Sequence, residues 1–190
     1  MRELGEIRET LRKDPDNPFA LRIIGQHHLQ DSHYKLAKDY YSQAVRIFPR
    51  LLSEVVLDYE NEIGKNPGKM GPRFSLAGFQ IVQGEIDPAI MELEEILDVN
   101  PKEVEAYNIL GKIYLHQGRI DDVISLLERS LQAGVRDASL IELLAGAYLE
   151  KGRVREAISF YEEILTYRPG DKQVLRILGE LYARTENYIE

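Results

Sequence analysis

The sequence predicts an all-α fold of repeated antiparallel helix pairs. Three marks recur every 34 residues along most of the chain. A Leu followed by Gly or Ala stands at Leu76-Ala77, Leu110-Gly111, Leu144-Ala145 and Leu178-Gly179. A Gly stands at 84, 118 and 152, and a small or β-branched residue at Ala89, Val123 and Ala157. A period of this length is typical of a solenoid, in which each unit is one supersecondary motif stacked on the next.

The unit Val104–Asp137 shows why two helices are expected in each period. Its first half has apolar or small residues at one helical face, namely Tyr107, Leu110, Gly111 and Tyr114. Gly118 suits the left-handed conformation that ends a helix. Its second half repeats the pattern at steps of four, with Val123, Leu127 and Leu131. Pro101 and Pro169 follow second helices, where a proline stops the helix.

At these residues the chain resembles the tetratricopeptide (TPR) repeat family, whose core reads W-x2-L-G-x2-Y, then A-x3-F, then P. The matching segments are Leu110-Gly111-x2-Tyr114, Leu178-Gly179-x2-Tyr182, Ala37-x3-Tyr41 and Ala157-x3-Tyr161. The opening tryptophan is absent, and Gln80 and His28 stand where the family has a tyrosine. The resemblance covers nearly the whole chain. It implies an α-α superhelix that binds other proteins.

The organisation along the chain follows from this register. Residues 1–63 are expected to hold an unpaired helix, one full repeat over Pro18–Leu51 and one extra helix within Leu52–Ile63. Residues 73–190 are expected to hold three repeats and a final single helix over Lys172–Arg184, after which 187–190 would begin another. On that last helix, Leu175, Leu178 and Leu181 are predicted to be core positions that lack a partner helix.

An interruption of the repeat is predicted near residues 64–72. The interval from Gly25 to Ala77 is 52 residues, which is one period plus 18. The segment that follows the extra helix, Gly64-Lys-Asn-Pro-Gly-Lys-Met-Gly-Pro72, is rich in Gly and Pro, which favour a loop. We expect a kink or hinge there. The alternative is a longer connection with the superhelix continuing past it.

Composition excludes several function classes. The chain has 190 residues, no cysteine and a net charge of −8. Residues 51–190 carry 15 Lys/Arg against 25 Asp/Glu, so nonspecific nucleic-acid binding, which needs basic surface, is not expected. The absence of cysteine excludes disulfides and thiolate metal sites. No apolar run is long enough to span a bilayer and the N-terminus is not a signal peptide, so a cytoplasmic location is expected. A fragment of a longer envelope-associated protein is the alternative.

No catalytic, cofactor or metal site is predicted. His27, His28 and His33 are close in sequence, but their spacing does not place them on one helical face, so we interpret them as packing residues. The paired carboxylates lie at positions that the apolar stripes leave to solvent, at Glu94-Glu95, Asp121-Asp122 and Glu162-Glu163. General acid–base chemistry needs carboxylates held in a cleft instead. The chain is therefore not expected to be an enzyme.

The resemblance places a partner-binding groove on one stripe of each first helix. Carried over position by position, the groove residues are Phe74, Gly78, Ile81, Val82, Asn108, Lys112, Leu115, His116, Glu142 and Leu149. Phe74, Ile81 and Val82 would form an apolar patch suited to a partner's helix or extended segment. The alternative is that the chain's own extra helix covers this patch.

These observations predict a protein-interaction module or adaptor scaffold that binds a partner peptide or helix in the groove. Two alternatives stay open. The chain would be a structural scaffold that self-associates through its final helix. In the second alternative, the chain would be the regulatory TPR segment of a larger envelope-assembly protein or glycosyltransferase. No nucleic-acid partner and no membrane insertion are expected.

Overall fold

In a computed structural model, residues 2–186 are described, with side chains described from residue 4 to residue 184. Within that range the chain forms eleven α-helices and no strand. The helices are α1 Arg2–Lys13, α2 Pro18–Gln30, α3 Tyr34–Ile47, α4 Leu52–Lys65, α5 Met70–Gln83, α6 Ile86–Val99, α7 Val104–His116, α8 Ile120–Gln132, α9 Ala138–Glu150, α10 Val154–Tyr167 and α11 Lys172–Glu186. A short 3-10 turn, Pro49–Leu51, precedes α4. This confirms the predicted all-α helical-repeat fold. Residues 187–190, expected to begin another helix, lie outside the described residues.

Glycines lie at the helix ends where the sequence predicts them. Gly84 ends α5 with φ of 84°, and Gly118 and Gly152 adopt φ of 71° and 70° in the turns after α7 and α9. A residue with a Cβ is strained in this region, so glycine is the natural choice at these turns. Asn17 begins α2 by accepting a hydrogen bond from the backbone N–H of Ala20, followed by Pro18 at the first helical position.

The helices divide into two compact units, Met1–Val99 and Asn100–Glu190. In the first unit, α2 pairs with α3 and α5 pairs with α6, while α3 also packs against α5. Its core contains Tyr41, Tyr59 and Phe79, all fully buried, with their rings 5.2 to 6.4 Å apart. Aromatic side chains at such distances add to the free energy gained by burying their area.

The predicted extra helix is present as α4, and it packs against α2 and α5. The connection from α4 to α5 is short, residues 66–69, because α4 continues to Lys65 and α5 begins at Met70. The Gly/Pro-rich segment 64–72 is thus partly helical, and Pro72 is buried in the first turn of α5. A proline near a helix N-terminus loses no helical hydrogen bond. The hinge at 64–72 stays a prediction, whereas the boundary between the compact units falls between residues 99 and 100.

In the second unit, α7 pairs with α8 and α9 with α10, and α9 also packs against α7 and α8. The buried side chains include those predicted from the 34-residue period, among them Tyr107, Leu110, Val123, Leu144 and Ala157. α11 packs against α10.

Candidate functional site

The predicted groove residues of the second unit lie on α7 and α9, which are in contact. Asn108 on α7 donates a hydrogen bond through Nδ2 to Ser139 Oγ on α9 at 3.2 Å. Leu143 of α9 reaches Gly111 of α7 so closely that a Cβ there would lie 2.6 Å from Leu143 Cδ2. The glycine at 111 therefore lets α7 and α9 approach, which places Asn108 and Glu142 on adjacent helices.

The accessibility of this set differs from residue to residue. Lys112 and His116 are exposed, whereas Leu115 and Leu149 are half-buried. A Cβ added at Gly146, which the resemblance also places in the groove, would meet no atom within 4 Å. Open space beside half-buried apolar side chains is the arrangement that a partner side chain could fill.

Glu142 is already engaged within the unit. Its carboxylate lies 3.6 Å from the guanidinium of Arg168, which follows α10. Both side chains are more than a third exposed, so this ion pair adds little to stability.

In the first unit, the predicted groove residues of α5 are partly in contact with α3. A Cβ on Gly78 would lie 3.4 Å from Lys38 Cδ. Phe74 and Ile81 are half-buried, and Val82 is 60% exposed. Val82 lines a surface cleft of about 550 Å³ together with polar side chains of α3 and Gln83, namely Lys38, Asp39, Ser42, Gln43 and Arg46.

Arg22 and Gln26 of α2 contact α4 through a polar network that the sequence did not reveal. The Asp58 carboxylate of α4 is buried and accepts hydrogen bonds from Arg22 Nε and Nη2 at 2.9 and 3.0 Å, and from Gln26 Nε2 at 3.1 Å. Tyr41 donates a fourth at 3.3 Å. Burial, and then the charge of Asp58, raise the pKa of Tyr41 far above its ordinary value. The segment 51–63 also contains Glu54, Glu60 and Glu62, so the sequence did not single out Asp58.

α4 contacts α5 through Tyr59, Ser75 and Phe79, and the latter two are outside the predicted groove set. Tyr59 Oη lies 2.9 Å from Ser75 Oγ, and Ser75 donates to the carbonyl of Tyr34 at 3.0 Å. The Tyr59 ring also contacts Phe79. Burial raises the pKa of Tyr59, so this hydroxyl stays protonated.

Comparison with known proteins decides the family. Residues 80–147 and residues 139–173 match two family descriptions of the tetratricopeptide repeat. This chain is a tetratricopeptide repeat protein. No curated protein matches the sequence significantly.

Solved TPR structures share the fold at low identity. TTC0263, a thermophilic TPR protein of Thermus thermophilus, is 19% identical with a TM-score of 0.52, covering 95% of this chain and 89% of its own. YrrB, described as a TPR protein with an unusual peptide-binding site, is 13% identical with a TM-score of 0.54, covering 95% of this chain and 84% of its own. MamA from Desulfovibrio magneticus RS-1 is 17% identical with a TM-score of 0.56, covering 90% and 86%.

Two histidines of the TPR chain, His28 and His33, belong to a cluster of packed rings. His28, which stands where TPR units carry a tyrosine, stacks on Tyr40 with ring centroids 5.4 Å apart and meets His33 edge-on at 5.6 Å. Burial, and then the proximity of His33, lower the pKa of His28. Among the residues that the structure describes, no group of three potential ligands is placed to hold a metal ion.

The last TPR helix is better covered than predicted. Leu178 and Leu181 are buried, whereas Leu175 is 48% exposed. Leu175, Leu178 and Leu181 were all expected to lack a partner helix. This was wrong for Leu178 and Leu181, because α11 packs them against α10. The buried face of α11 is formed by Val174, Leu178 and Leu181, and Leu175 lies beside that face.

Tyrosines at equivalent TPR positions form a repeated contact. Tyr148 donates to Glu128 Oε1 at 2.5 Å, and Tyr182 bonds to Glu162, each glutamate lying 20 residues earlier in the chain. Burial, followed by the Glu128 hydrogen bond, raises the pKa of Tyr148 to about 12. These hydroxyls therefore tie first helices to the second helix of the preceding repeat.

Proposed function

We propose that this TPR protein is a non-catalytic interaction module that binds a peptide or helix of a partner protein. The observation that carries the proposal is the surface formed by α7 and α9, where Leu115 and Leu149 are half-buried and Gly146 leaves open space. Apolar contact supplies most of the binding free energy of such a surface, while its polar groups set orientation. YrrB, which shares the fold, is described as having a peptide-binding site.

The polar side chains of this surface support recognition of an extended backbone. Asn108 and Ser139 present both donor and acceptor groups between the two helices, and the exposed Lys112 adds a cation. An amide side chain can bond to the N–H or C=O of a peptide that has no secondary structure of its own.

We place the protein in the cytoplasm and assign it no reaction. No described helix is both long and apolar enough to cross a bilayer.

The test uses peptides enriched on the full chain from a phage-displayed library, with affinities measured by fluorescence anisotropy. Gly146→Trp fills the open space on α9 and should weaken binding about tenfold or more, equivalent to about 1.4 kcal/mol. Gly64→Trp is the matched control, since Gly64 also lies within a helix and a Cβ there meets no atom within 4 Å. Absence of enriched peptides, or equal loss in both variants, would overturn the proposal.

In the first unit we propose that Phe74 and Ile81 form a separate binding surface on α5. Both are half-buried rather than fully buried. Phe74→Glu or Ile81→Glu should therefore weaken peptide binding while leaving the melting temperature nearly unchanged. A large fall in melting temperature would instead identify these side chains as core.

Self-association is a second candidate function, supported by one observation on α11. Leu175 and Tyr182 are 48% and 40% exposed, although both are large side chains. Burying them in a second copy would be favourable by the hydrophobic effect. Light scattering over a concentration series should then show dimers that Leu175→Arg abolishes. A monomer at every concentration removes this candidate.

A further inference from the structure

In two TPR units of this chain, a tyrosine ring on the first helix contacts an arginine that lies just before the second helix. In one unit the guanidinium carbon of Arg119 lies 4.4 Å from the ring centroid of Tyr114, and in the next Arg153 lies 4.3 Å from Tyr148. In both units the arginine follows the tyrosine by five residues. Each contact is a cation–π interaction made within one chain.

The unit formed by α5 and α6 departs from this pattern at both positions. Gln80 stands at the tyrosine position and Glu85 at the arginine position. A cleft of about 370 Å³ opens there, between α4, α5 and α6. Its lining is Leu52, Val56, Glu60, Gln80, Glu85, Pro88, Met91 and Glu92.

Several polar groups of the cleft lack a cation or a donor. Gln80 is only 6% exposed, and its Oε1 has no hydrogen-bond partner among the described residues. Glu60 and Glu85 are exposed and form no ion pair within the described part of the chain. Glu92, by contrast, accepts a hydrogen bond from Arg73 Nη1 at 2.7 Å. A buried acceptor without a partner is costly, so a ligand that donates a hydrogen bond to it gains free energy.

We propose that this cleft binds an arginine side chain presented by a peptide segment of a partner protein. The aliphatic stem of the arginine would lie against Val56 and Met91, and its guanidinium would meet Glu60 and Glu85 and donate to Gln80 Oε1. The partner thereby supplies the cation that Arg119 and Arg153 supply within the other units. Long basic side chains commonly cover apolar surface with their methylene groups while their charge is paired.

The alternatives fit the cleft less well. An acidic segment would meet the carboxylates of Glu60 and Glu85, which repel it. A purely apolar segment would leave Gln80 Oε1 buried and without a donor. The cleft therefore distinguishes partners by their charge.

The test is a titration of the full chain with the acetylated, amidated tripeptide Leu-Arg-Leu, followed by NMR of methionine methyl groups. Met91 lines the cleft, so its methyl signal, assigned with Met91→Leu, should shift on addition of Leu-Arg-Leu. The same titration with Leu-Glu-Leu should leave it in place. No shift up to the solubility limit of Leu-Arg-Leu, or equal shifts with both tripeptides, would overturn the proposal.

Two variants sharpen the result. Gln80→Tyr combined with Glu85→Arg rebuilds the pair found in the other units and should abolish the Met91 shift. Glu60→Gln combined with Glu85→Gln removes two exposed charges without adding bulk and should weaken Leu-Arg-Leu binding several-fold. The second pair decides the matter if the first does not fold, and unchanged binding in it contradicts the proposal.

This inference deepens the proposed partner binding but tests it at a separate surface. Gly146→Trp should leave the Met91 shift unchanged, since Gly146 lies on α9 and the cleft lies among α4, α5 and α6. Loss of the Met91 response with retained Gly146-sensitive peptide binding would remove the cleft alone.

Discussion

Two helical glycines, Gly25 and Gly146, occupy opposite environments. A Cβ on Gly25 would lie 2.8 Å from the ring of Tyr41, which is fully buried and hydrogen-bonded, whereas one on Gly146 would meet nothing. Gly25→Ala should therefore destabilise the protein by about 1–3 kcal/mol through overpacking. Gly146→Ala should stabilise it by up to about 1 kcal/mol through helix propensity. Urea unfolding checks both, and effects of the same sign would contradict this account.

The hydroxyl of Tyr148 makes the free energy of unfolding depend on pH in the alkaline range. Its pKa is raised to about 12, against an ordinary value near 10, by burial and then by Glu128. The unfolded chain therefore loses this proton first as pH rises. The stabilisation is complete below about pH 10 and is lost towards pH 12. Between these limits the urea midpoint of the wild type should fall more steeply than that of Tyr148→Phe. Parallel profiles would show that Tyr148 is not responsible.

At the scale of the element, α4 is held on α2 by one buried carboxylate. Asp58→Ala would leave the Arg22 guanidinium partly buried and without its main partner, and would free the donors of Gln26 and Tyr41. Removing one member of a buried ion pair costs about 3–5 kcal/mol. Glu54→Ala removes an exposed partner of the same arginine and should cost less than about 1 kcal/mol. Similar losses in chemical denaturation would contradict the central role of Asp58.

The sequence predicted the elements better than their partners. The existence of α4 followed from the apolar stretch 51–63, because a helix needs only local periodicity. Its position against α2 did not, since Asp58 reads as a surface residue unless Arg22 is known to face it. Leu178 and Leu181 were expected to lack a partner because the period of the repeat does not say how closely α11 packs on α10. The cleft at Gln80 was missed for the same reason.

At the scale of the molecule, each compact unit has its own buried side chains. Leu144 in α9 is 1% exposed, so Leu144→Ala should cost about 2–5 kcal/mol. In a helical repeat, energetic coupling is carried by nearest neighbours. Hydrogen exchange should therefore accelerate in α7 to α10 and stay unchanged in α2 to α4. Uniform acceleration along the chain would show that both units unfold together. Leu57→Ala, at a 52% exposed site, is the control.

The family was accessible from the sequence because the 34-residue period involves many positions at once, and substitutions such as Gln80 or His28 remove only single matches. The groove residues on α5, α7 and α9 followed from the same register and stay predictions as binding residues. The 34-residue period does not predict the effect of an inserted helix, because α4 has no counterpart in the other described repeats. Its contacts, and the cleft beside it, depend on three-dimensional packing.

The vacant space beside Gly146 also offers an experimental route to the physiological partner. A photoreactive amino acid installed at this site, such as benzoylphenylalanine, would project from α9 without displacing a neighbour. Illumination in living cells would then join it covalently to whatever molecule rests on α9, and mass spectrometry of the adduct would name that molecule.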